Sequence, residues 1–243
     1  MQGDILGAYL NSITMTLSIP QDKLTRLDVT LQSYLDVPAV TLKEMNELLG
    51  FWEFCSALLP KFMRGFAWSM QRFRCSLLLH NIKRKRWLPK RVRRDIATIK
   101  ALLPEVNCTV PIQPSHGKPR ADPCCTDACG GKKPGLAWVT PTKMEFWHAT
   151  GSNKNEIIAN IEGQAVKQYI DVEAQNLTGH IAPIYIDNTV FLNALKKGYS
   201  SNNKINKLVQ HIHIVAYKHS IYLDLFYIKS ADNILADSAS RER

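Results

Sequence analysis

Apolar positions recur along the chain with two different periods, and the change of period divides it. Residues 5–19 alternate about a polar Asn11-Ser12 corner, with Ile5 to Leu10 before it and Met15-Thr16-Leu17-Ser18-Ile19 after it, which predicts a β-hairpin. Pro20 suits a first helical turn, and Leu24, Leu27, Leu31 and Leu35 follow at helical spacing. Thr41-Leu42-Lys43-Glu44 has the capping-box pattern and opens an apolar stripe through Leu42, Met45, Leu49, Trp52 and Leu59. Further helices are expected over 61–80 and 92–103, so residues 20–104 read as all-helical. Pro104, Pro111, Pro114, Pro119 and Pro123, with Ser115 and Gly117, then mark a linker.

Beyond the linker the strand period returns. Strands are expected at 123–127, 135–139 and 143–149, separated by Gly130-Gly131 and Pro141. A helix follows over 155–174, and Ile184-Tyr185-Ile186-Asp187 reads as a buried strand that ends in an acid. Ile205, Leu208, Val209, Ile212 and Val215 mark another helix, 221–228 a strand, and the segment around Leu235 and Ala236 a last helix. The order βββαβαβα joins an antiparallel start to parallel crossovers. It predicts an α/β domain with a mixed sheet, preceded by a helical region.

Composition changes this picture little, whereas charge changes it a great deal. The 243 residues are 45% hydrophobic and 21% charged, ordinary values for a folded chain. No stretch approaches the roughly 18 consecutive apolar residues of a membrane span, and Met1-Gln2-Gly3-Asp4 lacks the opening of a secretory signal. An intracellular protein, cytoplasmic or nuclear and without a membrane partner, is the expectation. The formal net charge of +10 is concentrated. Residues 61–100 hold 13 Lys or Arg against the single acid Asp95, and the rest of the chain sums to −2. The densest run contains Lys83, Arg84, Lys85, Arg86, Lys90, Arg91, Arg93 and Arg94, with Trp87 among them. Such a run repels itself until a polyanion neutralises it, and nucleic-acid phosphate is the usual one. A solvated helix face and an import signal are the alternatives. Trp68, Phe73 and Trp87, interleaved with the cations, either stack on bases or pack.

The cysteines do not form a metal pattern. Cys55, Cys75 and Cys108 are isolated, and Cys124, Cys125 and Cys129 lack the paired spacing and downstream histidines of a zinc site, so reduced thiols are expected. The acids carry more. Asp127 stands at a strand end, Glu162 inside a predicted helix, Asp187 at the end of the central apolar strand and Asp237 in the last helix. An acid among apolar residues has to be neutralised, paired or metal-bound. Four carboxylates converging from two strands and two helices can hold two Mg²⁺ ions, with Mn²⁺ as substitute, and such a pair hydrolyses phosphodiesters. Taken singly, each acid can equally open a turn or face solvent.

The setting of these acids resembles the ribonuclease H domain of retroelement reverse transcriptases. The motifs are Thr126-Asp127-Ala128, Ile161-Glu162 with Ala165-Val166, Ile186-Asp187-Asn188, and Asn233-x-x-Ala236-Asp237-x-x-Ser240-Arg241. The last is closest to gypsy-like and DIRS-like retrotransposons. In the first half, Leu6-Gly7 followed by Met15 to Pro20 and Lys23-Leu24 resembles the end of a reverse-transcriptase palm, its primer-grip hairpin and the start of its thumb. The segment from Thr41-Leu42-Lys43-Glu44 through Leu48-Leu49-Gly50 to Leu59-Pro60 is similar to the thumb and connection helices. The resemblance implies a remnant palm hairpin over 1–20, a basic helical thumb/connection region over 21–104, a Pro-rich linker over 105–120, and a ribonuclease H-like domain over 121–243.

It implies, further, cleavage of the RNA strand of RNA–DNA hybrids. Asp127 and Asp187 would flank two Mg²⁺ ions, Glu162 would attend the attacking water, and Asp237 would complete the second metal. The partners implied are the hybrid and the remainder of a retroelement polyprotein, with no small-molecule cofactor. No Tyr-x-Asp-Asp polymerase motif is present, so no polymerase activity is expected. Cys129 stands where the family usually has Ser, Ala239 where Leu is usual, and no His follows His219. A binding relic without turnover is the alternative. An integrase-like nuclease is disfavoured by Asp, rather than Glu, in the last motif.

Overall fold

The computed structural model describes residues 2–5, 7–82, 84–112, 117–130, 134–148 and 158–241. Leu6, Lys83, Pro114, Ser115, Gly131, Ala149 and residues 155–157 of the expected helix lie outside them. The chain divides into two units, Met1–Pro114 and Ser115–Arg243.

In the first unit, strands β1 (Gln2–Ile5), β2 (Ala8–Asn11) and β3 (Thr16–Ser18) form an antiparallel sheet, so the hairpin carries one strand more than its alternation predicts. Four helices follow: α1 (Gln21–Asp36), α2 (Leu42–Ser56), α3 (Trp68–Leu79), entered through a 3-10 turn over Lys61–Ala67, and α4 (Lys90–Leu102). The Thr41 hydroxyl accepts from the Glu44 amide while Glu44 accepts from the Thr41 amide, closing the capping box. Leu27 and Leu31 of α1, Met45, Leu48, Leu49 and Trp52 of α2, and Val92, Ile96 and Ile99 of α4 form buried stripes.

The all-helical expectation for 20–104 needs one correction. Ala39–Val40 (β4) and Arg86–Trp87 (β5) pair antiparallel, because the prolines at 38 and 89 hold the backbone extended on either side of the pairing. The linker is also corrected: Thr109–Pro111 (β6) hydrogen-bonds to β3 and completes a sheet ordered β1-β2-β3-β6.

The second unit has the expected mixed sheet. Strands β7 (Cys124–Cys129), β8 (Gly135–Val139) and β9 (Met144–His148) run antiparallel, and β10 (Ile181–Ile186) and β11 (Tyr222–Tyr227) join parallel to β7. The strand order is β11-β10-β7-β8-β9. Between the strands lie α5 (Ile158–Glu173), α6 (Thr189–Lys197) and α7 (Asn203–Lys218), and α8 (Ile234–Ser240) closes the chain. Helix α6 is one more than the predicted order contains. Its signals are local all the same: the Asn188 side chain accepts from the Phe191 amide, and Gly198 ends the helix at φ 84°, in the left-handed region.

Alternate residues of β7, β8, β10 and β11, among them Cys124, Trp138, Ile184 and Leu225, bury one sheet face against Val166, Ile170, Phe191, Val209 and Ile212 of α5–α7. Leu136 meets Ile161 and Ala165 on that side. Its neighbour Gly135 faces the other way, where a Cβ would strike the Ser240 carbonyl, so α8 covers the opposite face at β7 and β8.

Candidate active site

Register brings the first two acids together. Strands β7 and β10 are parallel neighbours with Thr126 opposite Ile186, so the next residues, Asp127 and Asp187, stand side by side. Asp187 follows the end of β10, whereas Asp127 lies inside β7, which runs two residues past the strand end expected from the sequence. Helix α5 lies against β7 and delivers Glu162 to the same point, where the Ala128 backbone N–H donates to its carboxylate. One carboxylate oxygen from each of Asp127, Glu162 and Asp187 lies within 4.8 Å of the other two. Three like charges in a site where Asp127 is 4% and Glu162 3% exposed repel one another in a poor solvent. Burial, then the neighbouring carboxylates, pushes Glu162 up to about 9. Burial also pushes Asp127 up to about 6, against a hydrogen bond from Ser240 that lowers it.

Two oxygens in this cluster, Glu162 Oε2 and Asp187 Oδ1, are buried without a hydrogen-bond partner among the described residues. A buried acceptor left unpaired costs about 1–3 kcal/mol, more for a charged group. Three convergent carboxylates, two of them with an orphaned oxygen, form a group that could hold a hard divalent cation.

The fourth acid is near enough for its charge to help raise Asp127, but it is engaged elsewhere. Asp237 lies outside the group of three, and its Oδ1 accepts from Arg241 Nε and Nη2 at 2.9 and 2.6 Å. Helix α8 reaches the site through other residues, whose place in the closing Asn233 to Arg241 motif gives no sign of the task. Ser240 Oγ, 1% exposed, donates to Asp127 Oδ2 at 2.6 Å. Asn233 Nδ2 donates to the Thr126 carbonyl at 3.0 Å, tying the start of α8 to the strand that carries Asp127. The Cys129 thiol donates to the Ser240 carbonyl and accepts from the Gly135 amide. All six cysteines are free.

The basic run of the first unit divides by what its cations touch. Arg93 Nη1 and Nη2 donate to the Leu35 carbonyl and Nη2 also to Val37, at 2.9–3.0 Å, so this guanidinium caps the end of α1 and is spent inside the fold. Lys85 lies 3.8 Å from Glu44, and Arg94 lies 3.8 Å from its neighbour Asp95. Arg91 is half-buried, while Arg84, Arg86 and Lys90 are exposed. Trp68 and Phe73 are half-buried, and Trp87 stands in solvent at 76% exposure.

Among the described residues, no helix is long and apolar enough to cross a membrane. No family model and no curated protein matches the chain. Solved structures do. Ribonuclease H1 from the halophilic archaeon Halobacterium salinarum is similar over 50% of this chain and 95% of its own, at 11% identity and a TM-score of 0.42. LC11 ribonuclease H1, solved in complex with an RNA/DNA hybrid, is similar over 49% and 93% at 10% identity and a TM-score of 0.40. A foamy viral protease–reverse transcriptase in complex with dsDNA is similar over 94% of this chain, which spans 38% of that one, at 12% identity and a TM-score of 0.37.

Proposed function

We propose that the second unit cleaves the RNA strand of RNA–DNA hybrids with divalent metal, and that the chain is the C-terminal part of a retroelement reverse transcriptase. The observation that carries the reading is the triad of Asp127, Glu162 and Asp187, with two buried oxygens that have no partner among the described residues. Asp127 and Asp187, aligned by strand register, and Glu162 from the helix would hold the ion. A divalent ion so held supplies an activated water and neutralises charge on the phosphodiester. Ser240 would hold the Asp127 carboxylate in place through its bond to Oδ2. Asp237 would join as the fourth ligand, for a second ion, on leaving Arg241. The retroelement origin is supported by the four acid motifs in one chain and by the closing Asn233 to Arg241 pattern.

Arg84, Lys85, Arg86, Lys90, Arg91 and Arg94 of the first unit would meet phosphates, which gives affinity without sequence preference. Choice of RNA over DNA would come from 2′-hydroxyl contacts and the shape of the hybrid. The test is cleavage of a labelled hybrid in Mg²⁺. Wild type is expected to cut the RNA strand, Asp187→Asn to bind hybrid and leave it intact, and Asp224→Asn and Asp232→Asn to cut normally. Wild type that binds hybrid and never cuts it would be the binding relic, and equal cleavage by Asp187→Asn would remove the triad from the mechanism.

A further inference from the structure

Trp87 is presented to solvent by a rigid piece of backbone. Its strand pairs with β4, Ala39 opposite Trp87 and Val40 opposite Arg86, and the next amide, Leu88, donates to the Pro38 carbonyl at 3.0 Å. Leu88 is 6% exposed and Val40 1%, so the segment is anchored from below while the indole remains 76% exposed. Among the described residues no ring or cation lies over the indole face. A lone exposed aromatic is unremarkable by itself. Its surroundings separate this one from the ordinary case.

A concavity lined by His80, Asn81, Ile82, Arg84 and Arg86 reaches the residue before it in the chain, and four of these five side chains can donate hydrogen bonds. The turn that shapes it is held in place. Asn81 sits at φ 45°, in the left-handed region, its amide donates to Leu78, and the Ile82 amide donates to Leu77 at the end of α3. Donors and cations gathered in a hollow suit a phosphate, and an open indole on a fixed strand suits the face of a base. A paired base offers no face within a duplex, so the geometry asks for an unpaired one.

We propose that Trp87 and the adjoining hollow form a nucleotide site for a single-stranded flank of the bound nucleic acid, base on the indole and phosphate on Arg84 and Arg86. The site rests on the reading that the basic run meets nucleic acid. It differs from that reading in requiring unpaired bases.

The experiment measures binding of the full chain, in EDTA so that nothing is cut, to a blunt RNA–DNA hybrid and to the same hybrid with a short oligothymidylate overhang. One stacked base is worth about 1–3 kcal/mol, so the overhang is expected to tighten wild-type binding by roughly 5- to 150-fold. Trp87→Ala is expected to lose that increment and to keep the blunt-hybrid affinity and its salt dependence; Trp87→Phe should keep part of it. The exposed position lets both variants fold. Equal binding of the two substrates by wild type overturns the site, and so does an increment that survives in Trp87→Ala. A blunt-hybrid affinity insensitive to salt overturns the phosphate grip instead, and the two failures appear on different axes.

Discussion

The buried triad makes the metal-free protein sensitive to alkali through one residue. Burial and two neighbouring carboxylates hold Glu162 up to about 9 in the folded chain. In the unfolded chain it titrates near the ordinary value of about 4.3. A folded value above the unfolded one means that the folded state binds the extra proton. The stabilisation is therefore complete below the unfolded value and is lost as pH rises through the folded one. Each pH unit between the two removes about 1.4 kcal/mol. From pH 7 to pH 9 the loss flattens as Glu162 ionises, leaving about 2 kcal/mol. Asp127, held up to about 6, is already ionised over this range and adds little.

Glu162→Gln keeps the shape of the side chain and cannot ionise. Thermal unfolding of both proteins in EDTA, followed by circular dichroism at pH 7 and pH 9, isolates the effect, because every other titrating group is common to the two. Wild type is expected to lose roughly 4–8 °C more than the variant over that interval, the shift that about 2 kcal/mol produces in a chain of this size. Mg²⁺ at pH 9 should restore wild type and leave Glu162→Gln almost unmoved, since ligand stabilises only the state that binds it. Parallel pH profiles for the two proteins would refute the argument that Glu162 is buried beside two other acids.

Two further outcomes follow from single hydrogen-bonding groups. Ser240→Ala removes the 2.6 Å bond to Asp127 and should weaken Mn²⁺ binding about tenfold by calorimetry, with Ser240→Thr recovering part; unchanged affinity would mean that Ser240 does not position the ligand. Arg93→Ala leaves the Leu35 and Val37 carbonyls at the end of α1 without their donor and should cost about 2–3 kcal/mol in denaturant unfolding, whereas exposed Arg94→Ala should stay within about 0.5 kcal/mol; equal effects would contradict the division of the basic run.

Much of the second unit was legible before any coordinates, because its strands and helices announce themselves through neighbours. The alternation around Gly135–Val139 and the helical spacing of Ile205, Val209 and Ile212 depend on residues a few positions apart. Helix α6 carried its signals too, in Asn188 and Gly198, but its nine residues between two stronger elements were passed over. The short β4–β5 and β3–β6 pairings had no such signal. A strand of two or three residues shows no period, and its partner lies some 45 to 95 positions away in the chain.

The candidate acids are conspicuous in one dimension for a similar reason: Asp187 follows the apolar run Ile184-Tyr185-Ile186, and Asp127 and Glu162 stand beside apolar or small neighbours. Their grouping was decided in three. Asp127 and Asp187 meet because two strands share a register, whereas Asp237, one turn before Ser240, turns to Arg241 while Ser240 takes the place beside Asp127. The basic run shows the same division. Eight cations in twelve residues is a property of the sequence, but Arg93 is consumed by carbonyls 56 and 58 positions earlier while Trp87 is left open to solvent. Local periodicity encodes what each segment becomes, since backbone geometry repeats over a few residues. Whether a given charge is satisfied or left available depends on groups brought close only by folding, and no spacing along the chain records that distance.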